Sequence, residues 1–394
     1  MSQANWVNIR TFGAVGDGIA DDTAEINTAI DAFNTKHGQV FYAPAGKYKI
    51  SGPLNRMWGG GSVFGDGRAS TIFETTATTG HVMTLGGPEG TLRGIGFTAA
   101  PGVVRTSGAY LYVPGNGYHI DSFSMENCYL GLRIEGGVNS VTHGRITGAT
   151  SRRVSPGGGY VQVESNSSNY LFDVMGGATH NNTDDYPSFA VNLISGAFLI
   201  QKMEALQADI GLLINPGPGQ TVVNPKVHGS YIDNMVSHGV LVRPWGNAVT
   251  GGVVTYPEFV NVWSAPLGGN AFTFIQEGNT AMTHVKVASC TAVQYNLEEG
   301  TGVHLQSSYG PLEAEIVNCD IGTFETGILT KAGTRHFKAI GNQIYANTAI
   351  EIEPGYCDQY RILHNSGVNK TAGLIDGGQG GTNKTVTPNW FKVG

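Results

Sequence analysis

The chain is short of charge: Asp, Glu, Lys and Arg together make up 13% of its 394 residues, about half the share in an average soluble domain. It has no basic run, Arg152-Arg153 being an isolated pair, and its net charge is −7. A nucleic-acid partner needs a basic stripe to meet phosphates, so that class is excluded. No apolar stretch is long enough to cross a bilayer, which argues against a membrane partner. The first residues, Met1 to Trp6, have neither a basic start nor an apolar run, so no secretory leader is expected. Cysteine is scarce too: Cys128, Cys290, Cys319 and Cys357. No two sit at zinc-ligand or redox spacing, and a chain this long needs no disulfide staples. All four read as buried free thiols.

What is abundant is glycine, 58 residues, beside a hydrophobic share of 40%. That combination fits many short strands and tight turns around a sizeable core. The first 50 residues stand apart. Asp21 to Asn34 reads DDTAEINTAIDAFN, with Ile26, Ala29, Ile30 and Phe33 on one helical face. Asp22 followed by Glu25 fits a capping box. Gln39 to Ile50, QVFYAPAGKYKI, reads as strand, a turn at Pro44-Ala45-Gly46, and strand. Gly16-Asp17-Gly18 reads as a tight turn.

Further on, a signature recurs: a small residue, then apolar, any, apolar. It appears at Gly211, Gly239, Ala271, Gly302, Gly327, Ala349 and Gly373, in steps of 28, 32, 31, 25, 22 and 24 residues. An earlier copy starts at Gly131. One coil of a parallel β-helix takes about this many residues. Alternate strand residues share a face, so Leu212 and Ile214, Val240 and Val242, Phe272 and Phe274 should point inward. The middle positions, among them Leu213, Leu241 and Ile375, should face out and offer an apolar row for self-association. Asn318, Asn342 and Asn365 precede strands and could stack as a hydrogen-bonded ladder or serve as plain turn residues. The expected fold is all-β: a right-handed parallel β-helix with an N-terminal capping α-helix. The expected divisions are a capping segment at 1–58, the β-helix at 59–376 and a Gly-rich tail at 377–394.

The stretch from Asn8 to Ile50 resembles the opening segment of the pectate-lyase-like β-helix superfamily. The resemblance rests on Phe12-Gly-Ala-Val-Gly-Asp17-Gly18, Asp21-Asp22-Thr23, the helix with Ile26 and Ile30, and Tyr42-Ala-Pro-Ala-Gly46-Lys-Tyr48. It covers about 45 residues and implies architecture rather than reaction. No Asp-Pro-His-Glu run of the mannuronan epimerase type occurs. Asn182-Thr183-Asp184 and Ser237-His238-Gly239 match parts of the polygalacturonase pattern, whose Asp pair and Arg-Ile-Lys are missing. The chain is most similar to phage tailspikes and exopolysaccharide depolymerases. That resemblance implies a homotrimer, a virion-tail or extracellular location, and a bacterial surface polysaccharide as partner.

Glycoside hydrolysis needs two carboxylates. Glu204 and Asp233 lie 29 residues apart, about one coil, each shortly before a signature strand. They are the first candidate catalytic pair. Asp184 and Asp185, in a polar insertion, are the second. Sugar rings pack on aromatic rings and bond to polar groups. Arg243, Trp245, Tyr256, Trp263 and His228 are the candidate binding residues. No metal site and no cofactor are implied, although a calcium ion stays an open alternative. The leading expectation is an endo-acting polysaccharide hydrolase. The alternatives are a lyase on the same fold and a non-cutting carbohydrate-binding or structural fibre.

Overall fold

A computed structural model describes residues 6–35, 38–58, 61–87, 90–114, 118–136, 144–148, 150–152, 154–173, 175–176, 186–295, 299–308, 310, 312–331, 333–355, 359–378, 384–387 and 389–393. The chain is a parallel β-solenoid: short strands pair in parallel with strands one coil further along. It divides into two compact units, residues 1–191 and 192–394.

Unit 1 opens with strands Trp6–Asn8 and Asp17–Asp21, then the helix Thr23–Asn34. The helix buries Ile26, Ala29, Ile30 and Phe33, the face its periodicity predicts. The capping box does not form. Asp22 makes no side-chain bond to the helix amides. Its carboxylate instead accepts from the backbone N–H groups of Val15 (2.5 Å) and Gly16 (3.1 Å). The two amides of the preceding loop compete with the helix for the same oxygens, and they win. Asp17 accepts from the Ile19 and Ala20 amides, the turn expected there. Strands Val40–Ala43 and Gly46–Ile50 follow. Coil on coil, Tyr48, Phe73 and Phe97 point inward and stack with 5.6 Å between successive centroids.

In unit 2 the signature strands are in register. Leu212 pairs with Val240, Val240 with Phe272, Phe272 with Val303, Val303 with Ile328, and Ile328 with Ile350. All six are buried and form one apolar column. The small residue that opens the signature has a physical cause. A Cβ on Gly302 would come 2.3 Å from Ile321 Cγ2 and 2.6 Å from the Gly327 carbonyl oxygen of the next coil. The middle positions face outward but are not an exposed apolar row. Thr273 and Leu241 are buried and Leu213, His304 and Leu329 only part-exposed, while Ile375 is exposed, at 41%. His238 bonds across Thr273, covering it.

The asparagine ladder exists, one residue displaced at its first step. Asn342 Nδ2 donates to Asn365 Oδ1 (2.9 Å), and Asn365 Nδ2 to Asn389 Oδ1 (3.1 Å). Asn318 is instead a left-handed corner residue with φ 53°. Cys319 takes the ladder position, its amide donating to Asn342 Oδ1 (2.9 Å). Cys128, Cys290 and Cys319 are buried and in no disulfide; Cys357 lies outside the described residues. Residues 377–394, expected as a tail, carry strands Thr385–Val386 and Trp390–Val393, which pair in parallel with the preceding coil. Among the described residues no helix is long and apolar enough to cross a membrane.

Candidate functional site

Strand Tyr231–Met235 of unit 2 lies between Glu204–Leu206 and Trp263–Pro266. The register sets Glu204 beside Tyr231 and Tyr231 beside Trp263; two residues on, Leu206 sits beside Asp233 and Asp233 beside Ala265. Ala205, Ile232 and Ser264 are buried inside the coil. Strand alternation therefore turns Glu204, Tyr231, Asp233 and Trp263 to the outer face.

Asp233 is the centre of this face. It is only 7% exposed although it points outward. Tyr231 Oη donates to its Oδ2 (3.0 Å), and the Asn234 amide donates to its Oδ1 (2.8 Å). Asn234 reaches that geometry in a left-handed conformation, φ 57°, which Asn tolerates. Tyr295 also interacts with Asp233. Partial burial and then the bond to Asp233 push the Tyr231 hydroxyl up to about 12, so it stays a donor at neutral pH. Tyr295 is raised by the same causes. Tyr231 stacks on Trp263, centroids 6.0 Å apart and planes at 20°. The Trp263 Nε1–H is buried without an acceptor, and buried donors of this kind normally find one. The arrangement offers a flat aromatic surface beside a fixed carboxylate.

Glu204 and Asp233, the expected pair, share this face on adjacent coils, and Trp263 joins them. The remaining binding candidates do not. Arg243 follows another strand, His238–Val242, and pairs with Glu277 (2.9 Å). Trp245 is exposed and lies over Gly217. Tyr256 is exposed with its ring 6.1 Å from that of His284. His228 ends strand Thr221–His228, in register with Val260, its Nε2 buried and unpartnered. Asp184 and Asp185 lie outside the described residues, as does the Asn182-Thr183-Asp184 run. Sequence reasoning missed Tyr231 and Tyr295. Tyr231 carried a usable signal, since a residue two before Asp233 in a strand shares its face. Among the described residues no cluster of three or more His, Cys, Asp and Glu could hold a metal ion.

A second outward cluster involves Ser237-His238-Gly239. His238 Nδ1 lies 3.1 Å from Thr273 Oγ1, and His304 is in register with Thr273. Burial lowers the pKa of His238. Burial, then the charges of Lys331 and His238, push His304 down to about 4. Both rings are neutral at pH 7.

Residues 6–106 match the family model described as "Rhamnogalacturonase A/epimerase, pectate lyase-like". Over 45 residues, 11% of the chain, it is 53% identical to Mannuronan C5-epimerase AlgE1 of Azotobacter vinelandii, covering 3% of that protein. Another 45-residue match, again 11% of the chain, is 49% identical to Alginate lyase 7 of the same organism, covering 5% of it. The chain thus spans a small fraction of these relatives. Among solved structures, the A-module of Azotobacter vinelandii mannuronan C-5 epimerase AlgE6 aligns over 98% of both chains with a TM-score of 0.55 at 15% identity. That likeness is one of fold.

Proposed function

We propose that the chain is a polysaccharide depolymerase that hydrolyses internal linkages of a bacterial capsular or exopolysaccharide, as a tailspike or other extracellular protein. The observation that carries this reading is the outer face on which Glu204, Asp233, Tyr231 and Trp263 meet. Sugar rings pack their apolar faces on aromatic surfaces while their hydroxyls bond to carboxylates. Glu204 and Asp233 are offset by one coil and two residues, placing their Cα atoms about 8 Å apart by strand geometry. An inverting hydrolase needs about 6.5–9.5 Å between its carboxyl groups, to leave room for a water, and two side chains rooted at these Cα positions can adopt that separation.

In this mechanism Glu204 gives its proton to the glycosidic oxygen as the bond to the anomeric carbon breaks. Asp233 takes a proton from the water that attacks that carbon from the opposite side. Asp233 is assigned the base role because the Tyr231 hydroxyl and the Asn234 amide hold its carboxylate in a fixed position on the outer face. The relatives named for mannuronan epimerisation and alginate cleavage support a polymer as partner.

A panel of capsular and exopolysaccharides tests the reading, with polymer size and end groups measured. The expected product carries new reducing ends without unsaturated uronate. Asp233→Asn and Glu204→Gln should each slow cleavage about a hundredfold or more and spare binding. Full activity in both variants discards the site. The short match to an alginate lyase favours one second reading, a polysaccharide lyase, and unsaturated uronate at the new ends would establish it. Binding of the cognate polymer with no change in its size sinks both. The tailspike form of the proposal includes a homotrimer, and a monomer in sedimentation equilibrium counts against it.

A further inference from the structure

The outer column of unit 2 that holds Glu204, Tyr231 and Trp263 continues past them. Trp263 is in register with Thr291, Thr291 with Asp320, and Asp320 with Gln343. Ser366 and then Trp390 carry it to the last strand, Trp390–Val393. The residues next in these strands, Ala292, Ile321 and Ile344, are buried, so the column lies on the outside. Six steps of register separate Tyr231 from Trp390. With neighbouring strands about 4.8 Å apart, the two rings are rooted about 29 Å from each other along the solenoid axis. Two residues on in the same strands, Val293, Gly322 and Tyr345 are successive partners on the same face. Tyr345 lies four coils from Asp233, about 19 Å by the same spacing.

The exposed rings of unit 2 concentrate here. Among the described residues Tyr231, Tyr295, Tyr345 and Trp390 are exposed on this face, and Trp245 and Tyr256 away from it. The distal rings are held in place. Gln343 Nε2 donates to Tyr345 Oη. Trp390, 61% exposed, stacks on His364 with centroids 5.9 Å apart and planes at 23°. Between the two groups of rings the face is open. A Cβ on Gly322 would meet nothing within 4 Å. Asp320, two residues before it, is exposed, and among the described residues its carboxylate has no partner. Rings set several coils apart, with Thr291, Asp320 and Gln343 between them, do not form the contiguous apolar patch that a second protein copy would cover. They suit a sugar chain, whose ring faces are apolar and whose edges carry hydroxyls. The face is also continuous with Glu204 and Asp233, which lie toward one end of it.

We infer that a polysaccharide strand lies along the solenoid axis on this face, passes over Asp320 and Gly322, and packs sugars on Tyr345 and Trp390. These two rings are sugar platforms remote from the cleavage point, so the grip on the polymer is lopsided and grows with chain length. The inference deepens the proposed function: it rests on a polysaccharide as partner, but not on which carboxylate cuts it.

The test measures binding against oligosaccharide length, in the full chain carrying Asp233→Asn. Each polymer of the capsular and exopolysaccharide panel is partly hydrolysed with acid, and its size-fractionated oligosaccharides are titrated by calorimetry. For the polymer that binds, affinity should rise with length until the probe spans the face. Gly322→Leu should weaken the longest probe tenfold or more by blocking the passage, and Tyr345→Ala and Trp390→Ala should do so by removing the platforms. Tyr256→Ala, which removes an exposed ring off this face, is the control and should change nothing. Gly322 is open and outside the left-handed region, so Gly322→Leu should keep the parent melting temperature and serve if Trp390→Ala does not fold. Affinity that does not rise with length, or binding that responds to the three variants no more than to Tyr256→Ala, overturns the inference and leaves the proposed function standing. If no polymer binds, both fall. If a polymer binds and Asp233→Asn still cuts it, only the assignment of Asp233 falls, and the titrations are repeated in the cold, where cutting is slow.

Discussion

Asn365→Ala tests whether the asparagine ladder holds the coils of unit 2 together. Asn365 is fully buried. Its Oδ1 accepts from the Asn342 amide (3.0 Å) and from Asn342 Nδ2 (2.9 Å). Its Nδ2 donates to the Ala339 carbonyl (2.9 Å) and to Asn389 Oδ1 (3.1 Å). Alanine removes all four. Asn342 Nδ2 keeps a second acceptor, the Ile316 carbonyl, whereas among the described residues the Asn342 amide has only Asn365 Oδ1. A buried donor stripped of its partner costs about 1–3 kcal/mol, and the lost donor to Ala339 adds to it, so the expected destabilisation is about 3 kcal/mol. In a solenoid each coil contacts only its neighbours, so the effect should be local. Native-state hydrogen exchange should show the Asn342 amide opening about a hundredfold faster, since 1.4 kcal/mol is a factor of about ten. The control is Asn318→Gly: that corner is already left-handed and glycine accepts it at little cost. Exchange at Asn342 that rises less than fivefold, or a control as damaging as Asn365→Ala, would refute the ladder as a source of stability.

Two further outcomes follow from the same unit. His238 and His304 are held below their ordinary range by burial, so at mildly acidic pH the unfolded chain binds protons that the folded chain does not. Their contribution is therefore complete above about pH 6.5, the ordinary histidine value. It should be lost as pH falls from there toward about 4, where His304 titrates in the fold. Melting temperature followed from pH 7.5 to 4 should fall in that window, and His304→Gln should flatten the slope; an unchanged slope contradicts the assignment. Gly302→Ala should cost about 1–3 kcal/mol as an overpacking change. Ile321 can move aside, but the Gly327 carbonyl 2.6 Å from the new Cβ belongs to the next coil's backbone. Urea denaturation that finds the variant as stable as the parent contradicts that account of the signature.

The helix Thr23–Asn34 and the column from Leu212 to Ile350 could be read from the sequence because each depends on spacing within a few residues or on a repeated unit. Asp22 could not. Its carboxylate had two sets of amides in reach, and only the path of residues 14–16 decides between them. Asn318 failed for a related reason. Asparagine suits both a left-handed corner and a ladder, and the two positions are adjacent, so one residue of slip exchanges the roles of Asn318 and Cys319.

The candidate site divides along the same line. Glu204 and Asp233 lie about one coil apart and were found by counting, whereas Trp263 was found as an aromatic ring suited to sugars. Tyr295 was not, because its approach to Asp233 depends on the lengths of the intervening coils rather than on any repeat. Those lengths vary, with signature steps from 22 to 32 residues, while strands of neighbouring coils still pair in parallel, with a register shift between Asp233 and Met235. The variation must therefore be taken up at the corners and loops. Inserted residues there leave the apolar column undisturbed but change which side chains reach the outer face. In this fold the repeat determines what points inward and which residues share the outer face of one strand, as Tyr231 and Asp233 do, while the irregular corners decide which side chains arrive from other coils.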